Sequence, residues 1–204
     1  MSILLVRHGE TAGNRDRVIQ VPETPLSDRG LAQAARLGAR LAGERVARVL
    51  ASDLARARMT GEAIAAATGA PLSLDARLQE RNFGDLRGTP YAELDFDPFQ
   101  PGYVPPAGES WEDLHARADA VWEHLVELAA GLDAGDLVVV THGLVCHSLV
   151  TRRLDLGPLA APAGYGNTSL TVIDPRPPFR VSLVNCTAHL DAETAHDTRT
   201  RSGL

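Results

Sequence analysis

The chain has no lysine, so all 20 of its basic side chains are arginine. That absence excludes Schiff-base lysine chemistry and a P-loop lysine. Cysteine is scarce, with two in 204 residues. No disulfide framework follows from so few, and a cytoplasmic location is expected. Long apolar runs are missing too. The longest, Ile3-Leu4-Leu5-Val6 and Leu137-Val138-Val139-Val140, are strand-sized and far too short to cross a bilayer. Met1 leads almost directly into the first run, so no secretory leader is expected. Positive charge is in deficit: 26 acids against those 20 arginines leave a net charge of -6. Such a surface repels nucleic acid and anionic lipid, and neither is an expected partner. What is present is ordinary globular composition, 44% hydrophobic and 23% charged, which rules out disorder as the main state. The length suits one sizeable domain.

Hydrophobic patterning predicts strands at Ser2 to Val6, Arg45 to Ala51, Pro71 to Leu74, Leu137 to Thr141, Thr168 to Ile173 and Arg180 to Val184. Helices are expected from Asp28 to Ala42, from a Ser52 or Asp53 cap to Thr68, and from Leu144 to Leu154. The clearest helix follows Ser110-Trp111-Glu112-Asp113, which resembles a capping box. Behind it Leu114, Ala118, Val121, Leu125 and Leu128 form one apolar face. Strands alternating with helices of this length predict an α/β fold, a single domain with a mostly parallel sheet and helices on both faces. That domain is expected over residues 1–190, with 84–107 as a lid or specificity insertion and 191–204 as a polar C-terminal tail.

Ligands of open α/β sheets bind beyond the carboxyl ends of the strands. Two strands end alike there, one in Arg7-His8-Gly9-Glu10-Thr11 and the other in Thr141-His142-Gly143. Neighbouring strands would place both imidazoles in one crevice; otherwise each is an ordinary structural histidine. On the helix after Leu54, an apolar stripe of Leu54, Ala57, Gly61, Ile64 and Ala65 includes Arg58, while Arg56 points the other way. A buried guanidinium needs an anion, either an internal carboxylate or a ligand. Arg7, His8, Arg58 and His142 together would suit a tetrahedral oxyanion such as phosphate. Cys146-His147-Ser148-Leu149-Val150-Thr151-Arg152 has the Cys-x5-Arg spacing of a thiol phosphatase loop. Its helical pattern would, however, consume the amides that such a loop needs. No His-x3-His pair or mixed cysteine cluster suggests a metal, and none is expected.

Arg7-His8-Gly9-Glu10-Thr11 with Asn14, Ser52 to Thr60, Glu80-Arg81-Asn82-Phe83-Gly84-Asp85-Leu86-Arg87-Gly88 and Thr141-His142-Gly143 occur in one order along nearly the whole chain. In these motifs the sequence resembles the histidine phosphatase superfamily, also called phosphoglycerate mutase-like. The resemblance implies that His8 is a nucleophile that becomes phosphohistidine. Arg7, Arg58 and His142 would hold the phosphoryl oxygens, Asn14 and the backbone at Gly143 would add donors, and Glu80 would be the general acid and base. It implies a small-molecule phosphomonoester as substrate, no cofactor and no metal, with a homodimer left open. The expected activity is a metal-independent phosphatase. The alternatives are a bisphosphoglycerate-dependent mutase and a non-catalytic phosphate-binding protein.

Mutases of this family typically carry basic residues after the position of Gly88, where this chain has Thr89-Pro90. From Thr89 to Ala107 there is no arginine, but Glu93, Asp95 and Asp97 are present. An acidic cover over the pocket is expected to disfavour bisphosphates and phosphoglycerates. Phe83, Tyr91, Phe96, Phe99 and Tyr103 crowd the same region, either as packing or as a specificity wall. Gln20-Val21-Pro22-Glu23-Thr24 departs from the family, where a glycine and an aspartate are usual and the loop is one residue longer.

Overall fold

The computed structural model describes residues 1–190; the expected polar tail at 191–204 lies outside the described residues. Six strands form one sheet: β1 (Ile3–Arg7), β2 (Val46–Ala51), β3 (Leu72–Leu74), β4 (Asp136–Thr141), β5 (Leu170–Ile173) and β6 (Val181–Cys186). Their order is β3-β2-β4-β1-β5-β6. The first four in that order run parallel, while β5 and β6 are antiparallel additions. β1 and β4 are central neighbours, with Arg7 paired to Thr141 in register. The two histidine-bearing strand ends therefore lie side by side.

Alternate residues of the central strands feed two cores. Ile3, Leu5, Leu137 and Val139 face the core that holds α4 (Trp111–Ala130) and α5 (Gly143–Arg153). Leu4, Val6, Val138 and Val140 face the other, shared with α2 (Asp28–Leu41) and α3 (Ala55–Thr68). Ser110 caps α4 through a reciprocal box with Asp113. Its buried stripe is Leu114, Ala118, Val121, Trp122, Leu125 and Ala129. The stretch between His8 and Ser27 also contains a short helix, α1 (Ala12–Asp16), boxed by Thr11 and Asn14.

Two close contacts set the rim of the site. A Cβ on Gly30 would lie 2.0 Å from the Glu10 carbonyl oxygen, so only glycine lets α2 approach the loop after His8. Ser27, the cap of α2, donates its amide to the same Glu10 carbonyl at 2.9 Å. The cap of α3 is Leu54, without a side-chain bond, rather than Ser52 or Asp53. Ser52 is instead committed to His142.

Candidate active site

A cleft opens at the carboxyl ends of β1 and β4. Its walls include Arg7, His8, Asn14, Arg56, Glu80, Arg87 and Tyr91. His8 is fixed through its backbone: its amide donates to the Thr141 carbonyl at 2.9 Å, and its carbonyl accepts from Asn167 Nδ2 at 3.0 Å. The ring Nδ1 lies 2.7 Å from the Gly9 carbonyl oxygen. A carbonyl can only accept, so Nδ1 carries the proton and Nε2 keeps its lone pair. Burial, then the positive charges of Arg56 and Arg7, push the His8 pKa well below the usual imidazole value. The ring is therefore neutral at physiological pH, as a nucleophile requires.

His142 lies behind His8, with ring centroids 5.0 Å apart. Its Nε2 meets Ser52 Oγ at 2.9 Å, and its buried Nδ1 has no hydrogen-bond partner among the described residues. Burial, then Arg56 and His8, hold this imidazole neutral as well. The Arg7 guanidinium is buried and donates to the Tyr165 carbonyl. Asn14 accepts through Oδ1 from the Thr11 amide and from Asn167 Nδ2, both at 3.3 Å. No hydrogen bond to a described residue uses its NH2 group.

Arg58 is a correction. Its side chain is 49% exposed, pairs with Glu62 at 3.7 Å and does not line the cleft. Arg56, 3% exposed, takes the place expected for it. Leu54 precedes the helix and Ala65 is only half-buried, so the buried stripe centres on Ala57, Thr60, Gly61 and Ile64 and brings Arg56 inward. A signal was available: Arg58 has an acid four residues on, the mark of a solvent-facing pair, whereas Arg56 has Thr60. Arg56 donates to the Val21 carbonyl at 3.3 Å, and Ala55 to the Pro22 carbonyl at 3.2 Å. The departing 20–24 loop thus holds the start of α3. The Arg56 Nε is buried without a partner among the described residues, and burial lowers the guanidinium pKa to about 10.

Glu80 sits where the chain passes the start of α5. Its oxygens accept from the Arg81 amide at 3.1 Å and the Leu144 amide at 3.2 Å. Burial raises its pKa; those two amides and the charges of Arg56 and Arg7 oppose the rise. Thr141 Oγ1 grips the Leu78 carbonyl at 2.7 Å and Arg117 the Gln79 carbonyl at 2.7 Å, which holds the carboxyl in place. Gly143 does not serve the cleft: it is buried at the first position of α5, and the amide beside it is taken by Glu80. Cys146 does not line the cleft either. Its amide is spent on the His142 carbonyl at 2.9 Å within α5, and burial pushes the thiol pKa up. Among the described residues no three His, Cys, Asp or Glu side chains gather as metal ligands, and no helix is long and apolar enough to cross a membrane.

Residues 84–107 are stitched to the 17–19 loop. Gly88 donates to the Ile19 carbonyl, Ile19 to Thr89 at 3.0 Å, and Tyr91 to Arg17 at 2.9 Å. Arg81 ties the segment from inside, donating to the carbonyls of Pro98, Tyr103 and Glu109 with its guanidinium 4.3 Å from the Trp111 ring. Phe99 packs edge-on against Phe83 and Tyr91, each with centroids 5.5 Å apart, and all three face the cleft. They are packing and wall at once. The expected acidic cover does not exist: Glu93, Asp95 and Asp97 are exposed and do not line the cleft. The 3₁₀ turns at Gly84–Leu86 and Tyr91–Glu93 direct Arg87 and Tyr91 to the cleft instead. Neither residue was marked as a binding residue by the sequence pattern.

The model of the histidine phosphatase superfamily, branch 1, matches residues 3–186. Fructose-2,6-bisphosphatase TIGAR of Xenopus tropicalis is 36% identical over 138 residues, covering 62% of this chain and 50% of that protein. The chain thus spans about half the length of that relative. A protein described as "Probable phosphoglycerate mutase GpmB", from Yersinia pestis, is 32% identical over 166 residues, covering 76% of each. Among solved structures, a mycobacterial glucosyl-3-phosphoglycerate phosphatase complexed with VO3 superposes with a TM-score of 0.78 at 27% identity, covering 91% of this chain and 99% of that one. With the family model spanning nearly all of the described residues, this chain belongs to the histidine phosphatase superfamily, branch 1.

Proposed function

We propose that the chain is a metal-independent phosphatase of small phosphomonoesters that works through phosphohistidine at His8. The observation that carries this reading is the state of the His8 ring: Nδ1 is committed to Gly9, and Nε2 holds a lone pair between two buried arginines. A phosphoryl group in the cleft meets Arg7, Arg56 and the Asn14 amide, with the His142 ring behind. These groups stabilise the charge that spreads over the equatorial oxygens in the transition state. The His8 Nε2 attacks phosphorus as the P–O bond to the leaving group breaks. Glu80, whose pKa burial raises, gives its proton to the departing oxygen. The resulting carboxylate then takes a proton from water, which attacks the phosphohistidine. The P–N bond breaks, phosphate leaves, and Nε2 recovers its lone pair. Val18, Ile19, Leu54, Phe83 and Phe99 line the same cleft and favour a leaving group with an apolar portion.

The test is hydrolysis of p-nitrophenyl phosphate in EDTA by the wild type and His8→Ala side by side. Turnover that disappears in the variant is the expected result. Equal turnover in both would refute the phosphohistidine route, and dependence on added zinc or magnesium would refute the metal-independent one. A mutase would instead return the phosphoryl group to an organic acceptor, so free phosphate in stoichiometric yield is the second expected readout.

A further inference from the structure

Two cleft-lining arginines stand outside the phosphohistidine scheme: Arg81, whose guanidinium is spent on three backbone carbonyls, and Arg87. Arg87 is the one still open to a ligand. It is half-buried, lines the cleft with His8 and Arg56, and its guanidinium makes no hydrogen bond or ion pair with any described residue. Other arginines are engaged: half-buried Arg117 grips Glu109 at 2.8 Å, and exposed Arg17 lies 5.4 Å from the centre of the Tyr91 ring. Arg87 is also held in place. The chain turns through Gly84–Leu86 just before it, and Gly88 just after it is bonded to the Ile19 carbonyl. The Tyr91 hydroxyl, which lines the same cleft, likewise makes no hydrogen bond to a described residue, and burial, then the charge of Glu80, push its pKa up to about 12, so it stays a donor.

The charges settle what Arg87 is for. His8 and His142 are neutral and Glu80 carries a proton when it acts as the acid. Arg7 and Arg56 then balance a phosphomonoester, which is close to a dianion at neutral pH. Arg87 remains as a surplus positive charge on the cleft wall. Two guanidinium groups in one cleft repel, and Arg87 does help lower the pKa of Arg56. A planar five-donor fork that is partly desolvated and faces a cavity matches the paired oxygens of an anion.

We propose that Arg87, with the Tyr91 hydroxyl of the same cleft, forms a second anion subsite, so that the substrate is a phosphomonoester bearing a further carboxylate or phosphate beyond an apolar-walled middle. This rests on the phosphatase reading for its chemistry but not for its binding. The phosphoryl end sits with Arg7 and Arg56, and the far oxygens meet Arg87.

The test compares phosphate release from 3-phosphoglycerate and glycerol 3-phosphate, which differ at the far end as carboxylate against hydroxymethyl. Propane-1,3-diol bisphosphate is the arm with a second phosphate, and p-nitrophenyl phosphate is the control without a second anion. The expected wild-type preference in kcat/KM for the doubly anionic esters is about tenfold or more, the scale of a charge-assisted hydrogen bond. Arg87→Gln should bring that ratio to within about twofold through KM, with p-nitrophenyl phosphate turnover unchanged and Arg87→Lys intermediate. The ester that loses more identifies the group the fork receives. A wild type without preference, or a ratio untouched by Arg87→Gln, would overturn the subsite. Calorimetric binding of the same esters to His8→Ala and to His8→Ala/Arg87→Gln separates the two readings. A binding preference that survives without any hydrolysis in the wild type would sink the phosphatase and keep the subsite; equal binding by both variants would sink the subsite.

Discussion

Two arginines one helical step apart have opposite fates, and the difference is measurable. Arg56 is buried against the cleft with its Nε unpartnered, while Arg58 lies in solvent beside Glu62. Arg56→Ala removes a donor aimed at developing phosphoryl charge, so kcat/KM for p-nitrophenyl phosphate is expected to fall by about a hundredfold or more. Arg58→Ala loses a surface pair worth a few tenths of a kcal/mol and should stay within about twofold of wild type. Reversed effects in side-by-side steady-state kinetics would overturn the assignment. The sequence could bring His8, His142 and Arg7 to one end of the sheet because strand-end position is insensitive to small errors of phase, whereas Glu80, in a loop, was marked only by the family resemblance. It could not choose between Arg56 and Arg58, since alanines and a glycine mark the inward face of α3 too weakly. Shifting the helix start past Leu54 rotates the inferred stripe enough to exchange the two residues.

At the scale of elements, the same contrast separates α4 from the segment at 84–107. α4 was legible because a capping box and large apolar residues at regular spacing fix both its start and its face. Residues 84–107 have no period, and their organiser lies outside them: Arg81 collects the carbonyls of Pro98, Tyr103 and Glu109. Nothing in local spacing announces a long-range contact of one side chain with three backbone acceptors. Nor could the acidity of Glu93, Asp95 and Asp97 reveal that they face outward while Arg87 faces in. Arg81→Met keeps an unbranched apolar stem but removes the guanidinium from the Trp111 ring and leaves three carbonyls unpaired. Each orphaned acceptor costs about 1–3 kcal/mol if it stays buried, so the segment should open locally to hydrate them. The expected signature is faster amide exchange confined to about residues 98–109 and a raised KM, with the sheet amides of β1 and β4 still protected. Uniform loss of protection would mean that Arg81 supports the whole fold rather than this one wall.

For the molecule as a whole, the net charge of -6 is carried on the outside while the cleft concentrates arginines around neutral imidazoles. Keeping those imidazoles neutral ties stability to pH. His8 and His142 have folded pKa values well below the ordinary 6.5, and that of His189 is lowered to about 4 by burial and Arg40. Below pH 6.5 the unfolded chain takes up protons that the folded chain refuses, so stability present above 6.5 is lost as pH falls toward the folded values. Glu80 acts in the opposite sense: its raised pKa favours the folded state below about 4.5, and that contribution disappears as pH rises through its folded value. One carboxyl cannot offset three imidazoles, so the urea-unfolding free energy should fall from pH 7 to pH 5. Each refused proton contributes a slope of up to about 1.4 kcal/mol per pH unit. His142→Gln keeps a hydrogen-bonding partner for Ser52 but removes one titrating group. The variant can start less stable at pH 7, yet its loss between pH 6.5 and pH 5 should be shallower than that of the wild type by about that slope. Parallel curves for the two proteins would show that folded His142 titrates like an unfolded imidazole, and the buried, arginine-repelled state assigned to it would fail.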